Sequence, residues 1–83
     1  MNAKEVIAVI NGPICKLATP VEADTPLLSS GLLDSLALFN LTLWIEEEIG
    51  RMLDIFNLDI KEQWETPAQI AAYIERERRR QAG

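Results

Sequence analysis

The residues able to do chemistry in this chain are few, and they gather at Asp34-Ser35-Leu36. Asp34 precedes a helical apolar pattern, so Ser35 falls at a helix start and presents its hydroxyl to solvent. A phosphate attached there would meet backbone N–H groups that lack intrahelical partners, at the positive end of the helix dipole. The tripeptide alone is a weak signal, because Asp or Ser before a helix is usually an ordinary N-cap. Other chemistry lacks its parts. Histidine is absent and Cys15 is the single cysteine. No Ser-His-Asp set, no base beside the thiol and no zinc-ligand set can be assembled from such a chain. Cys15 reads as a small apolar core residue, and neither an enzyme nor a metal protein is expected.

The charges narrow the partners. The net charge is −5. Residues 1–74 hold four basic groups (Lys4, Lys16, Arg51, Lys61) against eleven acids, whereas residues 75–83 hold Arg76, Arg78, Arg79 and Arg80 against Glu75 and Glu77. An acidic body repels nucleic acid and favours basic partner surfaces. The terminal arginines suit the negative end of a helix better than they suit a nucleic-acid patch. No apolar run is long enough to span a bilayer, so membrane insertion is not expected. The N-terminus shows no secretory signal, and one unpaired cysteine fits a reducing compartment. The expectation is therefore a cytoplasmic, monomeric single domain over residues 1–83, with a core over about 3–76 and a basic C-terminal tail over 76–83.

The elements that must hold Ser35 in place are helical. Asn2 with Glu5 three residues later marks a capping box for a first helix carrying Val6, Ile7, Val9 and Ile10, which Gly12-Pro13 should stop or kink. Residues 18–34 read as a long loop broken by Pro20, Pro26 and Gly31, yet Leu27, Leu28, Leu32 and Leu33 require that it pack on the core. A second helix runs from Asp34-Ser35 to about Gly50, a natural C-cap. A short third helix is placed near 58–64. Thr66-Pro67-Ala68-Gln69 gives the fourth an N-cap, a first-turn proline and a capping-box glutamine. The fold expected is all-α: a small four-helix bundle of three main helices and one short one, with a long loop between helices 1 and 2.

Set in that frame, Gly31-Leu32-Leu33-Asp34-Ser35-Leu36 followed by Glu46-Glu47-Glu48-Ile49-Gly50 closely resembles the acyl, peptidyl and D-alanyl carrier protein family. Asp24-Thr25-Pro26-Leu27-Leu28 is similar to the family's approach to its modified serine, and Trp64-Glu65-Thr66-Pro67-Ala68-Gln69-Ile70 looks most like stand-alone D-alanyl or aminoacyl carriers. The likeness covers roughly residues 3–76, and order and spacing together make it specific. It implies that Ser35 carries a covalent 4′-phosphopantetheine, installed from coenzyme A by a phosphopantetheinyl transferase, whose thiol holds an acyl or aminoacyl cargo as a thioester. It implies that Asp34 supports the modification and that Leu36 contacts partners. Those partners would include an adenylate-forming loading ligase and a downstream acyl or aminoacyl transferase.

The chain departs from fatty-acid carriers of that family after the serine. Leu36 to Trp44 contains no charge, where such carriers usually place acids. With Leu38, Leu41, Ile45 and Ile49 as the core stripe, Ala37, Asn40, Leu43 and Trp44 are expected to be at least partly exposed and Phe39 to sit at the boundary. An exposed apolar patch marks an interaction surface; the competing reading folds Phe39 and Trp44 into the core. The patch favours a specialised aminoacyl or secondary-metabolite pathway over a general fatty-acid carrier. A non-carrier helical adaptor that binds through Phe39, Leu43 and Trp44 is the reading from another class. Glu46, Glu47 and Glu48 read as a solvated face, and Trp64 as core.

Overall fold

The computed structural model describes residues 2–14, 21–53 and 58–82. Cys15 and Leu17 lie outside them, as do residues 54–57. The first helix, α1 (Ala3–Val9), starts with the capping box. Glu5 donates its N–H to Asn2 Oδ1 at 3.1 Å, and Asn2 returns its own to Glu5 Oε2 at 2.9 Å. The helix loosens into a π turn over Ile10–Ile14, inside which Gly12 leaves helical geometry (φ −116°, ψ −109°). Pro13 is the cause: its ring disfavours the α conformation in the residue before it and its nitrogen cannot donate. Asn11 in this turn accepts the N–H of Val21 at 3.0 Å, which ties the returning loop to the end of α1.

The second helix, α2 (Ser35–Ile49), runs from Asp34 to Gly50. Gly50 sits at φ +77°, a left-handed C-cap that glycine takes without strain, and donates to the Glu46 carbonyl at 2.8 Å. The short third helix, α3 (Ile60–Gln63), is capped by Asp59. The fourth, α4 (Pro67–Ala82), begins as its sequence dictates. Thr66 Oγ1 accepts from Gln69 N–H and Gln69 Oε1 from Thr66 N–H, both at 3.2 Å. No strand occurs among the described residues. The fold is the expected all-α small bundle of four helices.

The last helix is the hub, packing against α1, α2 and α3. Ile70 and Ile74 on α4 are fully buried with Val6 of α1 and with Leu41, Ile45 and Ile49 of α2. Each such side chain stabilises the fold by about 1.5–3 kcal/mol. Trp64, expected in the core, is fully buried with its ring edge-on to Tyr73, centroids 5.6 Å apart. The arginine-rich stretch is helix as far as Ala82 and is tied to the body. Arg78 bonds both the carboxylate and the carbonyl of Glu48, at 2.9 and 3.0 Å. Arg51 and Arg80 pair with the buried carboxylate of Glu77. Arg76 reaches Gln63 at 2.7 Å and lies over the Tyr73 ring.

Candidate functional site

The loop before Ser35 is built rather than slack. Leu27 and Leu33 are buried and Leu28 packs partly against them. Leu33 N–H closes on the Leu27 carbonyl at 3.2 Å, and Gly31 N–H on that of Leu28 at 3.1 Å. The Ser30 hydroxyl donates to the Pro26 carbonyl. Gly31 turns the chain at φ +78°, where a Cβ would meet no atom, so only its backbone freedom is needed. Leu32, expected to pack inward with its neighbours, is instead 37% exposed. The turn that buries Leu27 and Leu33 leaves it facing out.

Glu65, just ahead of α4, pins this loop. Its carbonyl accepts Leu27 N–H at 2.6 Å. Its Oε1 accepts Leu28 N–H at 2.9 Å and Ser29 N–H at 3.0 Å. These donors, Ser29 foremost, hold the Glu65 carboxyl below its ordinary value against a smaller opposing effect of lost hydration. Sequence reading attached no role to Glu65. Its partners lie 36 and 37 residues away, and no local pattern encodes that spacing.

The loop delivers Asp34, whose carboxylate accepts Ala37 N–H at 2.7 Å while its carbonyl accepts Leu38 N–H at 2.9 Å. This N-cap leaves the N–H groups of Ser35 and Leu36 unspent in the first turn. Ser35 itself is exposed. Of the chain's three serines, Ser30 spends its hydroxyl on Pro26 and Ser29 turns its own toward Glu65. Of these three serines, only Ser35 leaves its hydroxyl without a partner.

Beyond Ser35, Leu36 (69% exposed), Phe39 (58%) and Leu43 (48%) form one outward stripe at i, i+3 and i+7. Phe39, expected at the boundary, is therefore on the open face. Asn40 is half-buried, and Trp44 is half-buried against the core. Ala37 corrects the sequence reading: it is only 9% exposed and is no part of the surface. It lies four residues before Leu41 on the same, core-facing side of α2. The core face also takes in Thr42, whose hydroxyl donates to the Leu38 carbonyl at 2.8 Å, so burying it strands no polar group. The three glutamates divide. Glu46 accepts Leu53 N–H at 2.7 Å, Glu48 holds Arg78, and Glu47 faces solvent.

The residues present fit a covalently attached phosphate arm. The hydroxyl is free, two N–H groups lie in the same helical turn, and no side chain encloses the position. No helix among the described residues is long and apolar enough to cross a membrane, and they contain no cluster of potential metal ligands. No curated protein and no solved structure matches the chain. A family model described as the phosphopantetheine attachment site matches residues 5–74. That span takes in most of α1, the loop, Ser35, α2, α3 and half of α4, and with it the chain belongs to the phosphopantetheine-attachment (PP-binding) family of carrier domains, which bear a covalently attached 4′-phosphopantetheine and are not themselves catalysts.

Proposed function

We propose that Ser35 is the attachment residue and that the protein presents an acyl or aminoacyl group to partner enzymes in a specialised aminoacyl or secondary-metabolite pathway. One observation carries the assignment within the family: Ser35 is the serine that is exposed, at a helix start and free of side-chain bonds. Its oxygen would attack the phosphorus of coenzyme A that bears the pantetheine, the pyrophosphate P–O bond would break with adenosine 3′,5′-bisphosphate leaving, and the hydroxyl proton would pass to the modifying enzyme. The N–H groups of Ser35 and Leu36, at the positive helix end, then favour the negative charge left on the phosphate. Asp34 keeps this turn in place through Ala37, and its outward charge is available to the phosphopantetheinyl transferase. When bound, the arm supplies a terminal thiol that holds cargo as a thioester and keeps it at high effective concentration near each partner.

The specialised pathway is supported by the open stripe of Leu36, Phe39 and Leu43, with Asn40 and Trp44 contributing at its edge. Docking there depends on apolar contact and shape, which suits a dedicated adenylate-forming ligase and a downstream transferase. A fatty-acid-type carrier, whose partners read charge, fits this face less well. The same stripe is what a helical adaptor would use, and that reading predicts that Ser35→Ala keeps function while Trp44→Ala loses it. The site is tested by co-expression with a broad-specificity phosphopantetheinyl transferase. The wild type should gain about 340 Da, the mass of the arm, and Ser35→Ala should not.

A further inference from the structure

The loop that ends at Ser35 sinks Val21, Leu27 and Leu33 into the core, and its hydrogen bonds to the rest of the molecule are few. Ala23 accepts Ala68 N–H at 3.0 Å and Val21 donates to Asn11, both well ahead of the serine. Of these hydrogen bonds, the ones nearest the serine along the chain are the three to Glu65, two of them to a single carboxylate oxygen. From there hydrogen bonds lead step by step to Ser35. Leu28 and Ser29 are fixed by Glu65, the turn they begin is closed by Leu33 N–H on Leu27, and Asp34 follows as the N-cap. Leu32 rides on this turn, and Leu36, in the first turn of α2, is exposed on the other side of Asp34-Ser35.

We infer that Glu65 is a positioning residue for the modification of Ser35: its carboxylate sets where the loop ending in Leu32 and Asp34 stands against the first turn of α2, and so governs how well a phosphopantetheinyl transferase engages the serine. This rests on Ser35 being the attachment residue. Two features separate the role from general stabilisation. Glu65 is at the surface end of the α3–α4 junction, with its side chain directed to loop N–H groups instead of into the core. The bonds also require an acceptor at Oε1, not a charge as such. Glutamine can supply that acceptor at the same reach. Aspartate keeps the charge but is one methylene too short, and alanine supplies nothing.

The test is the rate of arm transfer from coenzyme A by one broad-specificity phosphopantetheinyl transferase, measured at a temperature where every variant is folded by circular dichroism. Expected is a fall in kcat/KM of about tenfold for Glu65→Ala and Glu65→Asp, the equivalent of about one lost charge-assisted bond, with Glu65→Gln within about twofold of wild type. Glu77→Ala, which loosens the far end of α4, serves as a destabilised control and should be modified at the wild-type rate. If Glu65→Ala does not fold, the contrast of Asp against Gln decides alone. Equal rates across the Glu65 variants that fold overturn the inference while leaving Ser35 as the site. No arm on the wild type overturns the Ser35 assignment and this inference with it.

Discussion

The carboxylate of Asp34 accepts the backbone N–H of Ala37 at 2.7 Å, so the residue beside Ser35, the proposed attachment serine, also starts the helix that carries it. Structure and chemistry can be separated there. Asp34→Ala should cost about 1 kcal/mol of stability, while Asp34→Asn, an equally good cap, should lie within a few tenths of wild type. The transfer rate should divide differently: Asp34→Asn should stay folded yet accept the arm more slowly, because the charge offered to the transferase is gone. Urea melts and transfer kinetics on the two variants check this, and wild-type kinetics in Asp34→Asn would show that only the cap matters.

At the other end of α2, the buried Glu77 carboxylate gathers Arg51 and Arg80. Glu77→Ala removes charge-assisted bonds but leaves two arginines that water can reach, so the expected loss is about 1–3 kcal/mol. Arg78→Ala breaks a half-exposed pair with Glu48 and should cost about 1 kcal/mol or less. In a domain of this size each kcal/mol lowers Tm by about 4–8 °C, and thermal melts rank the two.

Two leucines five residues apart should behave oppositely. Leu27 is fully buried and Leu32 is 37% exposed. Leu27→Ala should cost about 2–5 kcal/mol through the cavity it leaves. Leu32→Ala should stay within about 0.5 kcal/mol. Chemical denaturation of both variants checks whether the loop is part of the core.

Glu65 predicts a pH dependence. Its folded-state carboxyl is held below the ordinary value of 4.5, chiefly by Ser29 N–H. A depressed carboxyl contributes stability that is fully present above that value and is lost as pH falls through the folded one. Glu65→Gln has nothing to titrate at this position. Its stability relative to wild type should therefore rise as pH drops below 4.5, as followed by melts of both proteins across that range. A constant difference would mean that the loop bonds do not favour the charged form.

Much of this molecule is legible in its sequence because its signals are local. Asn2 with Glu5, Thr66-Pro67 with Gln69, Asp34 and Gly50 each fix a helix end within a few residues of chain. The order of motifs around Ser35 carries the family. What escaped is set by tertiary packing. Whether Ala37 faces in or out depends on the rotation of α2 against its neighbours, and apolar residues on every side of that helix leave the rotation undetermined by periodicity. Leu32 looks like Leu33 until the turn at Gly31 separates them. Glu65, and Glu77 through Arg51, act on residues 26 or more positions away, a relationship that spacing along the chain does not record.

Peptide-level mass analysis of the protein after reaction with coenzyme A and a broad-specificity phosphopantetheinyl transferase addresses the central claim most directly. The gain of about 340 Da should fall on Ser35 alone and vanish in Ser35→Ala. An unmodified Ser35 with the arm on Ser29 or Ser30, or no arm on any residue with several such transferases, would contradict it.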